Sequence, residues 1–541
     1  MKSIAGRKIS NWGLLLLAFI LAVPFGNVSA QETVQENQLK FARLLRLVDG
    51  YYVDSANVEQ LTEDAIVHLL SELDPHSTYI SKEEVAKMNE GLKGNFEGIG
   101  ISFNIYKDTL LVTTTISGGP SEKVGLRAGD RIVEVDGKNV AGVGLKNSDV
   151  FDLLRGKKGT EVNLKIVRKT SPAPLDFKVI RDKIPIFSLD ASYMLDESTG
   201  YIKLNKFSAT TNDEFEEAIK ELKTQNLQNL VLDLRGNGGG YLNAAVAISD
   251  QFLNDDHLIV YTNGRNDPKR DYDATNNGYF EKGNLVVLTD EGTASASEIV
   301  SGAVQDWDRG IIIGRRSFGK GLVQKPFFLT DGSMVRLTTA HYYTPSGRCI
   351  QKPYDDGVGE YKKDYFNRMS NGEMFNADSI HFDDDLKHKT LLNGRNVYGG
   401  GGIMPDIFVP LDTSHHYSYL NKLRRKNVTY NYVLDFVDQN RESVNQEYPD
   451  FEAFNENFKI SDEVVAEVVE RGEKEGVEKD EESLEFVKES LRKELKAYIA
   501  RDLFSRNDMF KVLNRDDDVI AKAIEVLDNQ KEYNNLLVTT E

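Results

Sequence analysis

Residues 292–324 read GTASASEIVSGAVQDWDRGIIIGRRSFGKGLVQ, and the order of elements in this stretch sets the fold. It opens with small residues and three serines, Ser295, Ser297 and Ser301, on a loop that runs into a helix. "GIIIG" (310–314) then reads as a short strand buried on both faces, because a continuous apolar run leaves no side for water. "SFGKGLVQ" (317–324) follows and places Lys320 between two glycines. Loop, helix, strand and loop in that order form one repeat of an α/β core. The small residues allow two readings: close packing of a buried helix, or a site where one serine is a nucleophile.

A serine hydroxyl is a weak nucleophile and needs a positioned base. The eight histidines, at 68, 76, 257, 341, 381, 388, 415 and 416, are scattered, and only His341 in "TTAHYYTPSG" lies in dense, core-like sequence. Nothing beside His341 orients its ring, so it reads as structural. The same scatter offers no ligand set with metal spacing, so no metal or cofactor is expected. Lysine is the other base. Held among apolar groups, an ammonium's pKa falls from about 10.4 towards 7 or 8, where it serves as a general base. The glycines beside Lys320 let backbone approach it closely. A lysine on a surface loop fits the spacing equally well.

Outward from this stretch, residues 171–412 alternate strand and helix. "GYIKLNKF" (200–207) is a strand, "NDEFEEAIKELK" (212–223) an amphipathic helix, and "NLVLDLRG" (229–236) a buried strand running into "NGGG". That rhythm predicts an α/β fold with largely parallel pairing. Residues 352–395, polar and rich in Tyr and Asp, read as a surface insertion. Upstream, 85–170 switches to short strands with two helices, enough for a separate module. Residues 31–84 are a helical segment, in which Pro75 ends the second helix by excluding the α conformation at Asp74. Residues 413–541 are a charged, helical region that reads as solvated faces, because both signs of charge are mixed along it.

The leader differs in kind. Lys2, Arg7 and Lys8 precede "WGLLLLAFILAVPFG", and small residues then end at Ala30. This is the layout of a signal peptide, 1–30, cleaved after Ala30; a retained anchor is the alternative. A periplasmic or cell-envelope location follows. The single cysteine, Cys349, allows no internal disulfide. The net charge of −19 argues against nucleic acid as a partner, since no basic excess exists to displace counterions from phosphates. At 541 residues the chain needs several cores.

"GGPSEKVGLRAGDRIVEVDGKNV" (118–140) resembles a PDZ domain of the kind fused to proteases. Such domains add a peptide strand to a sheet edge and hold its C-terminal carboxylate on backbone N–H groups. The resemblance places those donors at Gly98, Ile99, Gly100 and Ile101, with the two isoleucines lining the pocket; a tight turn at the two glycines is the plainer reading. The stretch 292–324, with "VLDLRGNGGG", "YYTPSGRCIQ" and "GGIMPDIFVP", resembles the C-terminal processing (tail-specific) peptidases across roughly residues 40–412.

What the resemblance implies is a crotonase-like α/β protease core with a Ser/Lys dyad. Ser295 would be the nucleophile and Lys320 the base. Gln324 would orient the amine, which needs a chain turn near Gly321, because four residues of straight strand span about 13 Å. Gly239 and Ala296 would supply the oxyanion hole, with Gly238 a close rival for Gly239. Ser297 and Ser301 would pack or cap, and Glu298 would have no catalytic role. Substrates would be proteins with exposed C-terminal tails, with a homo-oligomer through the terminal helices and an adaptor protein as further partners. The rival readings are a non-catalytic PDZ adaptor on a protease-like core and a crotonase-like acyl-group enzyme.

Overall fold

The computed structural model describes residues 28–381, 383–412 and 417–538. Most of the expected leader lies outside the described residues; its last three positions open helix α1 (Val28–Tyr51). With α2 (Val58–Ser71), this helix forms one compact unit ending at Leu73, and the chain from Asp74 onward forms a second. No described helix is long and apolar enough to cross a membrane.

The second unit starts with strand β1 (Thr78–Ile80) and helix α3 (Lys82–Lys93). Ser81 and Glu84 form a capping box at the start of α3, and Gly94 ends it at φ 74°. A small module follows: β2 (Asn95–Gly98), β3 (Ile101–Tyr106), β4 (Thr109–Thr115), α4 (Pro120–Lys123), β5 (Arg131–Val135), β6 (Lys138–Asn139), α5 (Asn147–Leu154), β7 (Glu161–Val167), β8 (Leu175–Ile180) and β9 (Asp182–Pro185). Its antiparallel sheet runs β3-β4-β5-β7-β8, which leaves β3 at an edge. The boundaries expected at 85 and 170 both move. Residue 85 lies inside α3, and β8 completes the sheet beyond 170, with Val179 fully buried in the module's core. The prolines of "SPAP" (171–174) mark a turn between paired strands rather than the end of a domain.

Next come β10 (Leu189–Met194), β11 (Thr199–Leu204), α6 (Thr211–Thr224), β12 (Asn229–Asp233), α7 (Leu242–Asp250), β13 (Leu258–Gly264), β14 (Asp267–Asp273), β15 (Asn284–Thr289), α8 (Ala296–Asp306) and β16 (Ile311–Gly314). The main sheet runs β10-β11-β12-β15-β16 and ends on the two-residue strand Ile407–Phe408; only β10 and β11 pair antiparallel. Residues of α6, α7 and α8 form a core with one set of strand side chains, including Leu230, Leu232, Leu285 and Val287. Their neighbours of opposite parity, Val231, Val286 and Leu288, join a second core with helix Asp518–Asp528. That alternation is the period of two along a strand covered on both faces. A second sheet holds β1, β13 and β14 with β17 (Leu322–Phe328) and β18 (Met334–Tyr343).

Two regions differ from expectation. The stretch 352–395 is no simple surface insertion, because its helix α9 (Gly357–Ser370) buries Tyr361 and Arg368. The composition is polar because the buried groups pair among themselves: Lys352 Nζ lies 2.8 Å from Asp364, which also pairs with Arg368. The C-terminal helices likewise build a core of their own, in which Tyr419, Leu423, Phe454, Leu491 and Leu495 are fully buried. Mixed surface charge suits a bundle helix as well as a solvated one. Helix Val428–Glu447 also meets the small β module: Tyr106 donates to Asp435, while Arg131 and Lys169 reach Asp438 at 2.9 and 2.7 Å.

Candidate active site

Ser295 follows β15 and is the N-cap of α8, held at φ 57° and ψ −113°. A non-glycine residue in that region costs of order 1–3 kcal/mol, and such strain concentrates at functional positions. The geometry is that of a serine on a sharp strand-to-helix turn, which thrusts its hydroxyl outward. Every residue of α8 is buried, and the small side chains permit it: Gly302 packs so close to Thr344 that an added Cβ would meet it at 2.8 Å. Ser297 and Ser301 are fully buried, with Ser297 Oγ donating to the Asn237 carbonyl at 2.9 Å and Ser301 Oγ to the Ser297 carbonyl. Ser295 alone of the three lines a cavity of about 440 Å³.

Lys320 lines the same cavity from the loop between β16 and β17. Burial, aided by the nearby Arg336 cation, lowers its pKa to about 8. The glycines beside it are there for close approach. An added Cβ on Gly319 (φ 88°) would meet backbone of Gly401 and Gly402 within 3.2 Å, and one on Gly321 would meet Gln351 N at 2.9 Å.

Glu298, assigned no role from the sequence, joins the two segments. Its fully buried carboxylate accepts four hydrogen bonds. Oε2 takes the amides of Ser295 at 2.7 Å and Lys320 at 2.9 Å; Oε1 takes the Gly319 amide and the Ser317 hydroxyl, both at 2.6 Å. Ser317 Oγ in turn accepts from the Ile403 amide, so its proton is committed to Glu298. Burial raises the Glu298 pKa, and these donors oppose it. Arg368, from α9, donates to the carbonyls of Ser317 and Phe318 and clamps the outer side of the loop. The sequence signal for Glu298 was its place at N3 of α8, which reads first as a capping box.

The structure brings Gln324 to the same cavity but not to the lysine. Its Nε2 donates to Thr338 Oγ1 at 3.3 Å, at a bulge in β17 between Val323 and Gln324. Among the described residues no hydrogen bond joins Ser295 Oγ, Lys320 Nζ and Gln324. Thr338 Oγ1 in turn donates a hydrogen bond to Asp74 at 3.0 Å, beside His76, whose pKa burial and then Lys320 push down to about 4. Sequence reading passed over His76, since Pro75 marked only a helix stop.

The glycine turn also differs in detail from expectation. Gly239 (φ 97°) abuts the serine, and an added Cβ would lie 2.8 Å from Ser295 Cβ and 2.9 Å from Ala296 N. Its own amide, however, donates to Asn237 Oδ1 at 2.9 Å, so in this structure Gly239 does not offer the expected donor. The exposed Gly238 and the first helical residue, Ala296, have amides with no acceptor among the described residues, and both line the cavity. Arg235 anchors this turn. It forks onto fully buried Asp233 at 3.0 and 2.8 Å and onto Asp517 of the C-terminal region at 3.0 and 2.9 Å. Burial alone would raise the Asp233 pKa, but Arg235 and Lys203 hold it well below the carboxylate range.

In the small module, Gly98 ends β2 opposite Asp182, and Gly100 turns the chain at φ 75°. That turn sends Ile99 into the module's core, 2% exposed, so Ile99 does not line a pocket. Ile101 opens β3, and the free edge of β3 faces outward from the sheet.

The pattern of peptidase family S41 matches residues 198–359, that of a PDZ domain residues 111–168, and a family of unknown function (DUF8443) residues 419–505. The "Carboxy-terminal-processing protease" of Bartonella bacilliformis is 38% identical over 346 residues, 63% of this chain and 78% of that protein. The "Carboxy-terminal processing protease CtpB" of Bacillus subtilis is 32% identical over 410 residues, 74% of this chain and 80% of that one. A solved "photosystem II D1 C-terminal processing protease" is 33% identical, covers 58% of this chain and 90% of its own, and superimposes with a TM-score of 0.33. The two family patterns and these relatives define a serine peptidase core carrying a PDZ domain. The chain belongs to the carboxy-terminal processing protease family.

Proposed function

We propose that this chain is an exported endopeptidase that captures protein C-terminal tails on its PDZ domain and cleaves the captured chain with Ser295 and Lys320. The observation that carries the reading is that a strained serine and a lysine with lowered pKa front one cavity, their backbones held by one carboxylate. Neutral Lys320 removes the Ser295 proton, and the alkoxide attacks the scissile carbonyl. The Ala296 and Gly238 amides hold the oxyanion, each worth about 3 kcal/mol in the transition state. Lys320 then protonates the leaving amine, and water releases the acyl group. For Gln324 to orient the amine, as the resemblance implies, its side chain would have to leave Thr338 Oγ1, 3.3 Å away.

Tail capture uses the open edge of β3, with the carboxylate at the Gly98–Ile101 turn. The basic, apolar, then small order of residues 1–30 supports export to the periplasm or cell envelope. Exposed Leu39, Leu44 and Leu47 on α1 support assembly through the terminal helices, with a second copy or an adaptor protein. The test is cleavage of an unfolded protein bearing an apolar C-terminal tail, free or amidated. Loss of cleavage in Ser295→Ala and Lys320→Ala but not Ser297→Ala supports the dyad; undiminished cleavage by Ser295→Ala sinks it.

A further inference from the structure

A second cavity, of about 670 Å³, lies next to the one that holds Ser295 and Lys320. Gly238 lines both, and Ala294, the residue before Ser295, lines the second. Its far wall is α9, the helix of the 352–395 region, which contributes Tyr361 and Tyr365; Pro75, His76 and Phe318 complete the apolar part.

Most charged groups lining the cavity are paired, while Lys362 of α9 is exposed at its rim. Lys352 Nζ bonds Asp364 at 2.8 Å and rests 3.9 Å and 4.2 Å above the rings of Phe318 and Tyr361. His76 Nε2 meets Tyr361 Oη at 2.8 Å, and its depressed pKa keeps the ring neutral at pH 7. Glu291 pairs with Arg315 at 2.8 Å, while Asp290 accepts from the amides of Gly236 and Gly292. The Lys352 ammonium takes one face of Phe318 and of Tyr361, so Tyr365 is the lining ring most open to a ligand. Tyr365 is 42% exposed, so its ring is available without any rearrangement of the core.

We propose that this second cavity is a substrate subsite that takes a bulky apolar side chain, aromatic or long aliphatic, from the polypeptide being cut at Ser295. The inference rests on the reading of Ser295 as nucleophile. A chain laid across Gly238 to reach the serine has one cavity on each side, so residues flanking the scissile bond fall into both. A cavity of about 670 Å³ lies within the range of ligand pockets and has ample room for one aromatic side chain. Because α9 supplies the wall, the helix helps choose the bond that is cut.

The test uses the full-length protein and a peptide series with phenylalanine or alanine at each position flanking the cleaved bond. At one position Tyr365→Ala is expected to lower the Phe-to-Ala ratio of kcat/KM about tenfold, the scale of an apolar pocket contact. Lys363→Ala, on the same helix but outside the cavity lining, keeps the wild-type ratio. A ratio that Tyr365→Ala leaves unmoved at every position overturns the subsite and leaves the peptidase reading standing. In parallel, the same peptides carrying a fluorophore are titrated onto Ser295→Ala protein with and without Tyr365→Ala. No turnover by wild type, with about tenfold weaker binding of the phenylalanine peptide on Tyr365→Ala, overturns the nucleophile and keeps the subsite. No turnover and no Tyr365 dependence overturns both.

Discussion

Glu298 accepts the backbone amide of Lys320 at 2.9 Å on the same oxygen that accepts the Ser295 amide at 2.7 Å. Serine and lysine are 25 residues apart in sequence, and this one carboxylate fixes both backbones. It acts through other groups and touches no reacting atom. Glu298→Gln keeps the size but turns an NH₂ group towards donors, leaving buried amides unpaired at about 1–3 kcal/mol each. The expected result is a kcat about a hundredfold lower with KM little changed, equivalent to about 2.7 kcal/mol of barrier. Steady-state kinetics beside a thermal melt separates this from unfolding: an equal loss in kcat at unchanged pH profile and a collapsed melt would mark Glu298 as structural only.

The pH dependence follows from Lys320. Its pKa of about 8 is lowered by burial first and by Arg336 second, so the base is protonated below that value. The kcat/KM should climb about tenfold per unit below pH 8 and level off above it. The Arg336 cation favours neutral lysine, so removing it raises the pKa. Arg336→Gln should therefore shift the rising limb to higher pH, and a shift to lower pH would contradict the assignment of Lys320 as base.

The PDZ domain is tied to helix Val428–Glu447 by charge as well as by the small apolar contact of Tyr106 and Leu111 with Leu434. Asp435 serves Tyr106, Lys107 and Arg471 together, and Asp438 serves Arg131 and Lys169. The lysines are exposed and contribute little, about 0–1 kcal/mol each. Asp435→Ala combined with Asp438→Ala should free the domain without unfolding it. Hydrogen exchange at β4 and β5 should rise in the double variant and, more weakly, in wild type at high salt. Unchanged exchange there would show that the apolar contact alone holds the domain.

The segments that were legible in the sequence are those where local chemistry and tertiary role coincide. Buried strands such as "IIIG" (311–314) carry their burial in composition, whereas Ser295 and Lys320 were singled out by resemblance, because helix packing and a surface loop explain their segments equally well. The capping box expected at Glu298 is present, but its bonds to Ser317, Gly319 and Lys320 were not legible, because those partners come from a distant loop. Ile99 was misplaced because sequence gives no sign of which way the side chain before a left-handed glycine, here Gly100, is turned. Tyr361, Arg368 and Lys352 read as surface since a polar residue buried by a distant partner looks, along the chain, like one in water. Gly239 against Gly238 was a matter of register, which no local pattern sets; the structure shows the Gly239 amide donating to Asn237 Oδ1.

That register gives a paired test. Gly239 has φ 97°, and an added Cβ would lie 2.8 Å from the Ala294 carbonyl and from Ser295 Cβ. Gly239→Ala must adopt a left-handed backbone and displace the serine turn, at about 1–2 kcal/mol for the backbone and a further 1–3 for overpacking. Activity should fall by two orders of magnitude or more, because the displaced atoms belong to Ser295 itself (about 1 Å of misplacement suffices). Gly238 has no atom within 4 Å of an added Cβ and is not among the positive-φ glycines. Gly238→Ala should therefore melt with the wild type, and it keeps the amide proposed to meet the oxyanion. A Gly239→Ala protein that cleaves at the wild-type rate would mean that the turn in solution does not abut the serine as it does here.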